Sequence, residues 1–180
     1  MGLRKLLLRT RTGFERAVHR YRHRVYGYAY HMLGDADEAA DVTQDVFMRL
    51  WSSRDTIDES RLLGWLLHVT RNACIDALRH RRTVRNVIQT DERPIEELAA
   101  ADERPDADLE VADLQRQLND ALARLSEPHR SIVILREIQE MSYLEICAAL
   151  NLPMSTVKVY LHRGRRMLRE SVAQTVIQGE

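Results

Sequence analysis

The stretch from Ser142 to Glu170, SYLEICAALNLPMSTVKVYLHRGRRMLRE, decides how this chain folds. Ser142 and Glu145 have the spacing of a capping box, in which the two side chains satisfy each other's orphan amides. The helix they open carries Ile146, Ala149 and Leu150 inward and stops at Asn151-Leu152-Pro153. Asparagine tolerates a left-handed backbone and proline cannot continue a helix. Ser155 is then the expected cap of a second helix, whose Val157, Leu161, Gly164 and Leu168 form the stripe that packs on the first. At about 100° per residue the opposite face is centred on Ser155, Val159, His162 and Arg166. Lys158, Arg163 and Arg169 flank it, with Thr156 and Arg165 near its edges. A short helix, a tight turn and a second helix with a basic outer face suit the DNA major groove. Ser155, Thr156, Lys158, Val159 and His162 are the candidates for base edges, and Arg163, Arg165, Arg166 and Arg169 for phosphates. The plain alternative is a basic amphipathic helix that only solvates its outer face. The coincidence of cap, turn and second helix favours a helix-turn-helix.

Upstream, nearly every periodic stretch also has helical spacing. Phe14, Val18, Tyr21, Val25, Tyr28 and Met32 recur every three or four residues, and this register outweighs the strand-like alternation of Tyr26 to Tyr30. Gly34-Asp35 ends that helix and starts another, with Asp35 as N-cap. Its apolar face is Ala39, Val42, Val46, Phe47, Leu50 and Trp51. Residues Ser52 to Ser60 lack periodicity and read as a loop. A third helix carries Leu62, Leu66, Val69, Ala73 and Ala77, with Trp65 beside the stripe, and runs into Arg79-His80-Arg81-Arg82. From Thr83 to about Asp108 the pattern breaks in a segment rich in acid and alanine that holds Pro94 and Pro105, with room for a short helix near Ile95 to Ala101. Helical order returns with Val111, Leu114, Leu118 and Leu122. Ser126 and Pro128 mark a further helix start, because proline is tolerated in a first turn. The expected class is all-α: two small helical domains joined by a flexible acidic linker. The parts are a basic N-terminal arm (1–13), a first domain (14–83), the linker (84–108) and the helix-turn-helix domain (109–175).

The chain has 180 residues, with 27 Lys+Arg against 27 Asp+Glu, so net charge points to no partner. The distribution does. Arg4 to Arg24 is basic with Glu15 as the one acid, Asp35 to Asp45 acidic, Arg71 to Arg85 mostly basic, Asp91 to Asp113 acidic, and Lys158 to Arg169 basic again. Cys74 and Cys147 lie in apolar helical stretches without CxxC spacing, which fits buried thiols in a reducing cytoplasm and neither a disulfide nor a thiolate metal site. Leu6-Leu7-Leu8 superficially suggests a signal peptide, but the run is short and Arg9 and Arg11 interrupt it. No apolar stretch approaches membrane-spanning length, so no membrane contact is expected. His19 and His23, four residues apart, face the same way. Zinc needs a third protein ligand, and Glu15 to His23 spans about 12 Å of helix. Solvated histidines are the expectation, with no metal and no cofactor. Nucleophile elbow, phosphate-cradling glycine loop and HExxH are all missing from the sequence, so no catalytic residue is named.

Three segments carry a family resemblance. Gly34 to Trp51, GDADEAADVTQDVFMRLW, resembles the polymerase-binding helix of extracytoplasmic-function (ECF) sigma factors, an acidic helix of pattern D-x-x-Q-E-x-F-x-x-x-W. Trp65 to Asp76, WLLHVTRNACID, resembles the same family's promoter-melting helix. Leu125 to Arg130 and Ser142 to Arg166 resemble its second domain. The segments stand in family order and at family spacing, covering about Phe14 to Glu170 apart from the linker.

The resemblance implies a transcription initiation factor without catalytic activity of its own. Its partners would be the RNA polymerase core (the β′ subunit coiled coil and the β subunit), promoter DNA and an anti-sigma factor. By positional match Asp41, Gln44, Asp45 and Arg49 fall on the core-binding helix, with Phe47 and Trp51 mainly packing. The Ser52 to Ser60 loop and Trp65, Arg71, Asn72, Asp76, Arg79 and His80 fall where the family handles the −10 strand, with Arg79, Arg81 and Arg82 as phosphate contacts. Trp65 is a core residue before it is a stacking platform, and Asn72 and Asp76 have the spacing to hydrogen-bond within the domain. The chain departs from the family at Gln44-Asp45 for Gln-Glu, at Cys147 and Asn151 for Ala and Gly, and at Val159-Tyr160 where Ser-Arg is frequent. The last exchange removes a phosphate-binding arginine and puts an apolar side chain on the DNA face, where it suits a thymine methyl. A stand-alone helix-turn-helix regulator that dimerises on a palindrome, and a metal protein or enzyme, are the rival readings.

Overall fold

The computed structural model describes residues 8–88 and 106–178, all helix and connecting turn with no strand among them. Seven helices follow in order: α1 (Arg11–Leu33), α2 (Ala36–Ser53), α3 (Leu62–Ile88), α4 (Asp106–Ala123), α5 (His129–Val133), α6 (Tyr143–Leu150) and α7 (Met154–Gln178). The short helix expected near Ile95 to Ala101 and residues 1–7 of the basic arm lie outside the described residues. The arm's described end is anchored: Leu8 is buried and Arg9 pairs with Asp55 at 3.3 Å.

Local chemistry sets most helix ends. Gly34 closes α1 with a left-handed φ of 72°, and Asp35 opens α2 by accepting from the Glu38 amide at 2.8 Å. α2 continues to Ser53, so the loop expected from Ser52 shrinks to Arg54–Asp58 and a 3₁₀ turn over Glu59–Arg61. α3 continues to Ile88, past the composition break at Thr83. The start expected at Ser126 moves to His129, because Pro128 stands at the cap and its carbonyl accepts from Ile132 at 3.1 Å. After Val133 the helix widens into a π turn over Ile134–Ile138, with the Gln139 amide bonding back to Ile134 at 3.0 Å. The loosened end is tied down by Arg24 of α1, which donates to the Gln139 carbonyl at 2.7 Å, and by Arg136, which donates to the Met141 carbonyl at 2.7 Å.

The helix-turn-helix follows the sequence reading closely. The Ser142 amide donates to Glu145 at 2.8 Å, and the Glu145 amide donates back to Ser142 Oγ at 3.3 Å. Asn151 ends α6 in left-handed backbone at φ 53°. One expectation is corrected: Ser155 is not the cap of α7. The helix starts at Met154, and the Pro153 carbonyl accepts its first bond from Val157 at 3.0 Å. Ser155 therefore lies exposed in the first turn.

Removing the capping hydroxyl gives a direct test of this local design. Ser142→Ala is expected to cost about 1 kcal/mol near neutral pH, read by urea unfolding. The Ser142 hydroxyl first, and then its backbone amide, hold the Glu145 carboxyl below the usual carboxylate range. A lowered folded-state value means stability that is complete above the unfolded-state pKa and fades as pH falls through the folded one. Wild type and variant should thus converge in acid, and a gap that persists unchanged there would rule this coupling out.

The two halves share one continuous core. Val25, Tyr28, Met32, Val46, Leu50, Leu66 and Leu67 fill the first three-helix unit, and Leu122, Ile132, Leu135, Ile146, Val157 and Leu161 the second. Burial pushes the Cys74 thiol up to about 12, so it stays protonated and packs as an apolar side chain. Sequence periodicity showed each unit burying its own stripe. It did not show α6 packed on α3, where a Cβ added at Gly64 would lie 3.9 Å from the Ala149 backbone.

Candidate functional site

On α7 the buried stripe is Val157, Leu161 and Gly164, with Leu168 half-buried beyond them. The opposite face carries Ser155, Lys158, Val159, His162, Arg163, Arg165, Arg166 and Arg169, all exposed, with Thr156 half-buried at its edge. The arginines are not equally available. Arg165 is held by Glu137, with Nη2 at 2.7 Å and Nε at 3.0 Å from one carboxylate oxygen. Arg166 meets Glu170 only at 3.6 Å, with both side chains about two-thirds exposed, a pairing worth little against solvent screening. Lys158 Nζ sits 6.0 Å from the Tyr143 ring, a loose contact that leaves the ammonium at the surface. Val159 and Tyr160 part company. Val159 is 48% exposed, whereas Tyr160 turns back to meet the His129 ring edge-on at 5.0 Å.

α2 presents a second polar face. Asp41, Gln44, Asp45 and Arg49 are all exposed, at positions that recur one turn apart. Phe47 is buried behind them, as expected of a packing residue, while Trp51 remains 41% exposed. Its ring meets Phe14 edge-on at 4.9 Å and is covered by the Arg54 guanidinium at 4.0 Å. Met48, 61% exposed, completes the same stripe. Beside it a groove of about 500 Å³ opens between α1 and α2, lined by Val18, Arg22, Tyr26, Gln44, Phe47 and Met48 among others.

α3 gathers the third set, and here the structure divides what the sequence grouped. Asn72, Asp76, Arg79, His80 and Arg82 are exposed. Trp65 is half-buried against the core, in line with its packing role. Asn72 contacts His68 at 3.1 Å and Asp76 pairs with Arg79 at 3.4 Å, one turn along the same helix. Arg81 departs from the expected phosphate contact. It pairs with Glu38 at 2.6 Å and donates to the Leu33 carbonyl at 3.1 Å, tying α3 to the α1–α2 corner. Arg71 is also engaged: it pairs with Glu127 of the second unit at 3.0 Å and donates to Ser131 at 3.2 Å.

Two family descriptions match the chain in order, Sigma-70 region 2 over residues 17–84 and Sigma-70 region 4 over residues 115–168. The RNA polymerase sigma factor CarQ of Myxococcus xanthus is 31% identical over 166 residues, covering 92% of each chain. The ECF RNA polymerase sigma factor SigL of Mycobacterium tuberculosis is 33% identical over 149 residues, covering 81% of this chain and 80% of its own. The chain belongs to the ECF sigma factors. These are transcription regulators rather than enzymes. Among solved structures, the sigma factor RpoE of Bartonella quintana in complex with the anti-sigma factor NepR is 25% identical, with a TM-score of 0.67 over 89% of this chain and 96% of that one. CnrH, solved with the cytosolic domain of CnrY, shares the fold at a TM-score of 0.70 and 22% identity, over 95% of this chain and 97% of that one.

In this sigma factor the three polar stripes lie on three different helices, each backed by an apolar stripe of the shared core. Sequence reasoning passed over Met48 because it singled out charged and amide side chains. The signal was present, since Asp41, Gln44, Asp45 and Met48 follow the i, i+3, i+4, i+7 pattern of one helix face. Glu127 and Glu137 were passed over for another reason. Each is remote in sequence from its arginine, 56 residues from Arg71 and 28 from Arg165. His19 and His23 line a shallow groove with Phe14, Glu15, Val18 and Arg22, and no cluster of three or more potential metal ligands occurs among the described residues. None of the described helices is long and apolar enough to cross a membrane.

Proposed function

We propose that this sigma factor grips core RNA polymerase through Asp41, Gln44, Asp45 and Arg49 of α2, handles the −10 strand with α3, and reads the −35 element with α7. The first unit then corresponds to residues 14–83, carried on by the end of α3 to Ile88, and the promoter-reading second unit to 109–175, begun three residues earlier by α4 at Asp106. One observation carries this reading: an exposed acidic stripe on α2 precedes, in the same chain, a helix-turn-helix with an exposed basic face. A stand-alone regulator needs only the second. The acidic stripe suits a basic coiled coil of the polymerase, and Met48 adds an apolar contact at its edge.

On α7, Lys158, Val159 and His162 are assigned to base edges and Arg163, Arg166 and Arg169 to phosphates. Arg165 reaches a phosphate only by leaving Glu137. Specificity at the unusual Val159-Tyr160 pair rests on Val159, which suits a thymine methyl, while Tyr160 fixes the helix against His129. On α3, Asn72, Asp76, Arg79, His80 and Arg82 remain at the strand, with Arg71 available once it leaves Glu127. The protein acts in the cytoplasm as a binding factor without chemistry of its own. RpoE of Bartonella quintana was solved in complex with the anti-sigma factor NepR, and a partner of that kind is proposed here as well.

Run-off transcription with purified core polymerase over a promoter library tests the whole reading. Start sites that appear only with this protein are expected, and their absence would sink it. Within the same assay Arg166→Ala should weaken all promoters alike and flatten the salt dependence by about one charge. Lys158→Ala should instead reorder the preferred −35 sequences. If the two variants behave identically, the division into positioning and reading residues is wrong.

A further inference from the structure

The ion pair between Arg71 and Glu127 is the most shielded among the described residues, with side chains 21% and 26% exposed. By contrast, Arg79 and Asp76 are 76% and 73% exposed. Its geometry is that of an anion site. Arg71 Nη2 and Nε lie 3.0 and 3.1 Å from Glu127 Oε2, and Nε lies 3.2 Å from Ser131 Oγ. Ser131 fixes the carboxylate, donating from Oγ at 2.6 Å and from its amide at 3.2 Å. The guanidinium therefore presents Nε and Nη2 to a single carboxylate oxygen, the same pair of donors it would offer to a phosphate oxygen.

Promoter geometry requires this site to come apart. Elements at −10 and −35 are about 25 base pairs apart, or roughly 85 Å of duplex. A compact chain of 180 residues has a radius of gyration of about 16 Å and is roughly 40 Å across. With α6 packed on α3, α7 and α3 cannot both reach their elements. Undocking the second unit uncovers the part of α3 around Gly64 and His68 that lies against Ala149 of α6, and breaks the Arg71–Glu127 pair in the same movement.

We propose that Glu127, oriented by Ser131, is an intramolecular surrogate for DNA phosphate: it occupies Arg71 while the two units are docked and yields it to the −10 strand when they separate. The docked protein is then a weak strand binder, and the competition, rather than docking alone, suppresses binding before core polymerase is engaged. This rests on the assignment of Arg71 to the −10 strand made above.

The test is fluorescence anisotropy of a labelled 20-nucleotide oligothymidylate with the full chain, using Glu127→Gln, Arg71→Ala and the double variant, each checked by thermal unfolding. Glu127→Gln is expected to tighten binding about three- to tenfold when Arg71 is present and to do nothing when position 71 is alanine. Arg71→Ala should weaken binding in the Glu127→Gln background, where the guanidinium is released. Equal tightening in both backgrounds would mean that Glu127 merely repels the strand, and no tightening in either would mean that it does not compete; both overturn the proposal. If Arg71→Ala leaves affinity unchanged in the Glu127→Gln background, the assignment of Arg71 to the strand fails first and the surrogate falls with it. A weakened Arg71→Ala beside an unchanged Glu127→Gln overturns the surrogate alone.

Discussion

Gly164→Leu is expected to lower stability by about 3 kcal/mol and to abolish −35 recognition, because a side chain at position 164 runs into α5. A Cβ added there would sit 2.7 Å from Val133 Cγ2 and 3.5 Å from both the Cβ and the carbonyl oxygen of His129. Val133 is 1% exposed and β-branched, so its methyl has nowhere to swing. Even alanine is informative. Helix propensity alone favours alanine over glycine by about 1 kcal/mol at a mid-helix position. The close approach should outweigh that gain and leave Gly164→Ala net destabilised, and adding Val133→Ala should return part of the loss by opening room for the new methyl. Urea unfolding of the three variants decides the matter. A Gly164→Ala protein more stable than wild type would show that α7 is free to move outward and that glycine is not what sets the helix crossing.

Reversing the charge at Asp45 should have the largest effect on activity with little effect on folding. The side chain is exposed on the outer stripe of α2, beside Gln44 and one turn from Asp41 and Arg49, and it has no ion pair among the described residues. In the proposed contact of α2 with a basic surface of the polymerase, Asp45→Arg would convert attraction into like-charge contact, which costs several kcal/mol. Transcription directed by the sigma factor is expected to fall about 100-fold, since each 1.4 kcal/mol is a factor of ten. The unfolding midpoint should stay within experimental error of wild type. Phe47→Ala provides the contrast: Phe47 is 7% exposed behind the stripe, so its loss should lower stability by about 3 kcal/mol. Full transcription by a folded Asp45→Arg protein would remove α2 from the polymerase contact.

The parts of the fold legible in the sequence were those fixed within one or two helical turns. The Ser142–Glu145 box, the left-handed Asn151 and the Gly34-Asp35 junction all depend on neighbours three or four residues away, and all appear as read. The exposed face of α7 was legible for the same reason, because helical pitch alone places Val159, His162 and Arg166 opposite Val157, Leu161 and Gly164. Ends set by backbone carbonyls were read less well. Pro128 and Pro153 cap α5 and α7 through their carbonyls, which displaces the serines that composition had pointed to.

What sequence alone determined, then, was an all-helical chain with an acidic stripe on one helix and an exposed basic face on another, in the order of an ECF sigma factor. Tertiary structure decided which of those polar side chains are available. Arg81 looked like Arg79 and Arg82 in the sequence, yet it bridges to Glu38 and the Leu33 carbonyl. Arg71 and Arg165 are held by Glu127 and Glu137, and Tyr160 by His129. The physical reason is the range of the two kinds of information. Helical periodicity fixes which way a side chain points from its own axis, but its partner is chosen by how helices distant in sequence pack, and that contact is written in no local pattern.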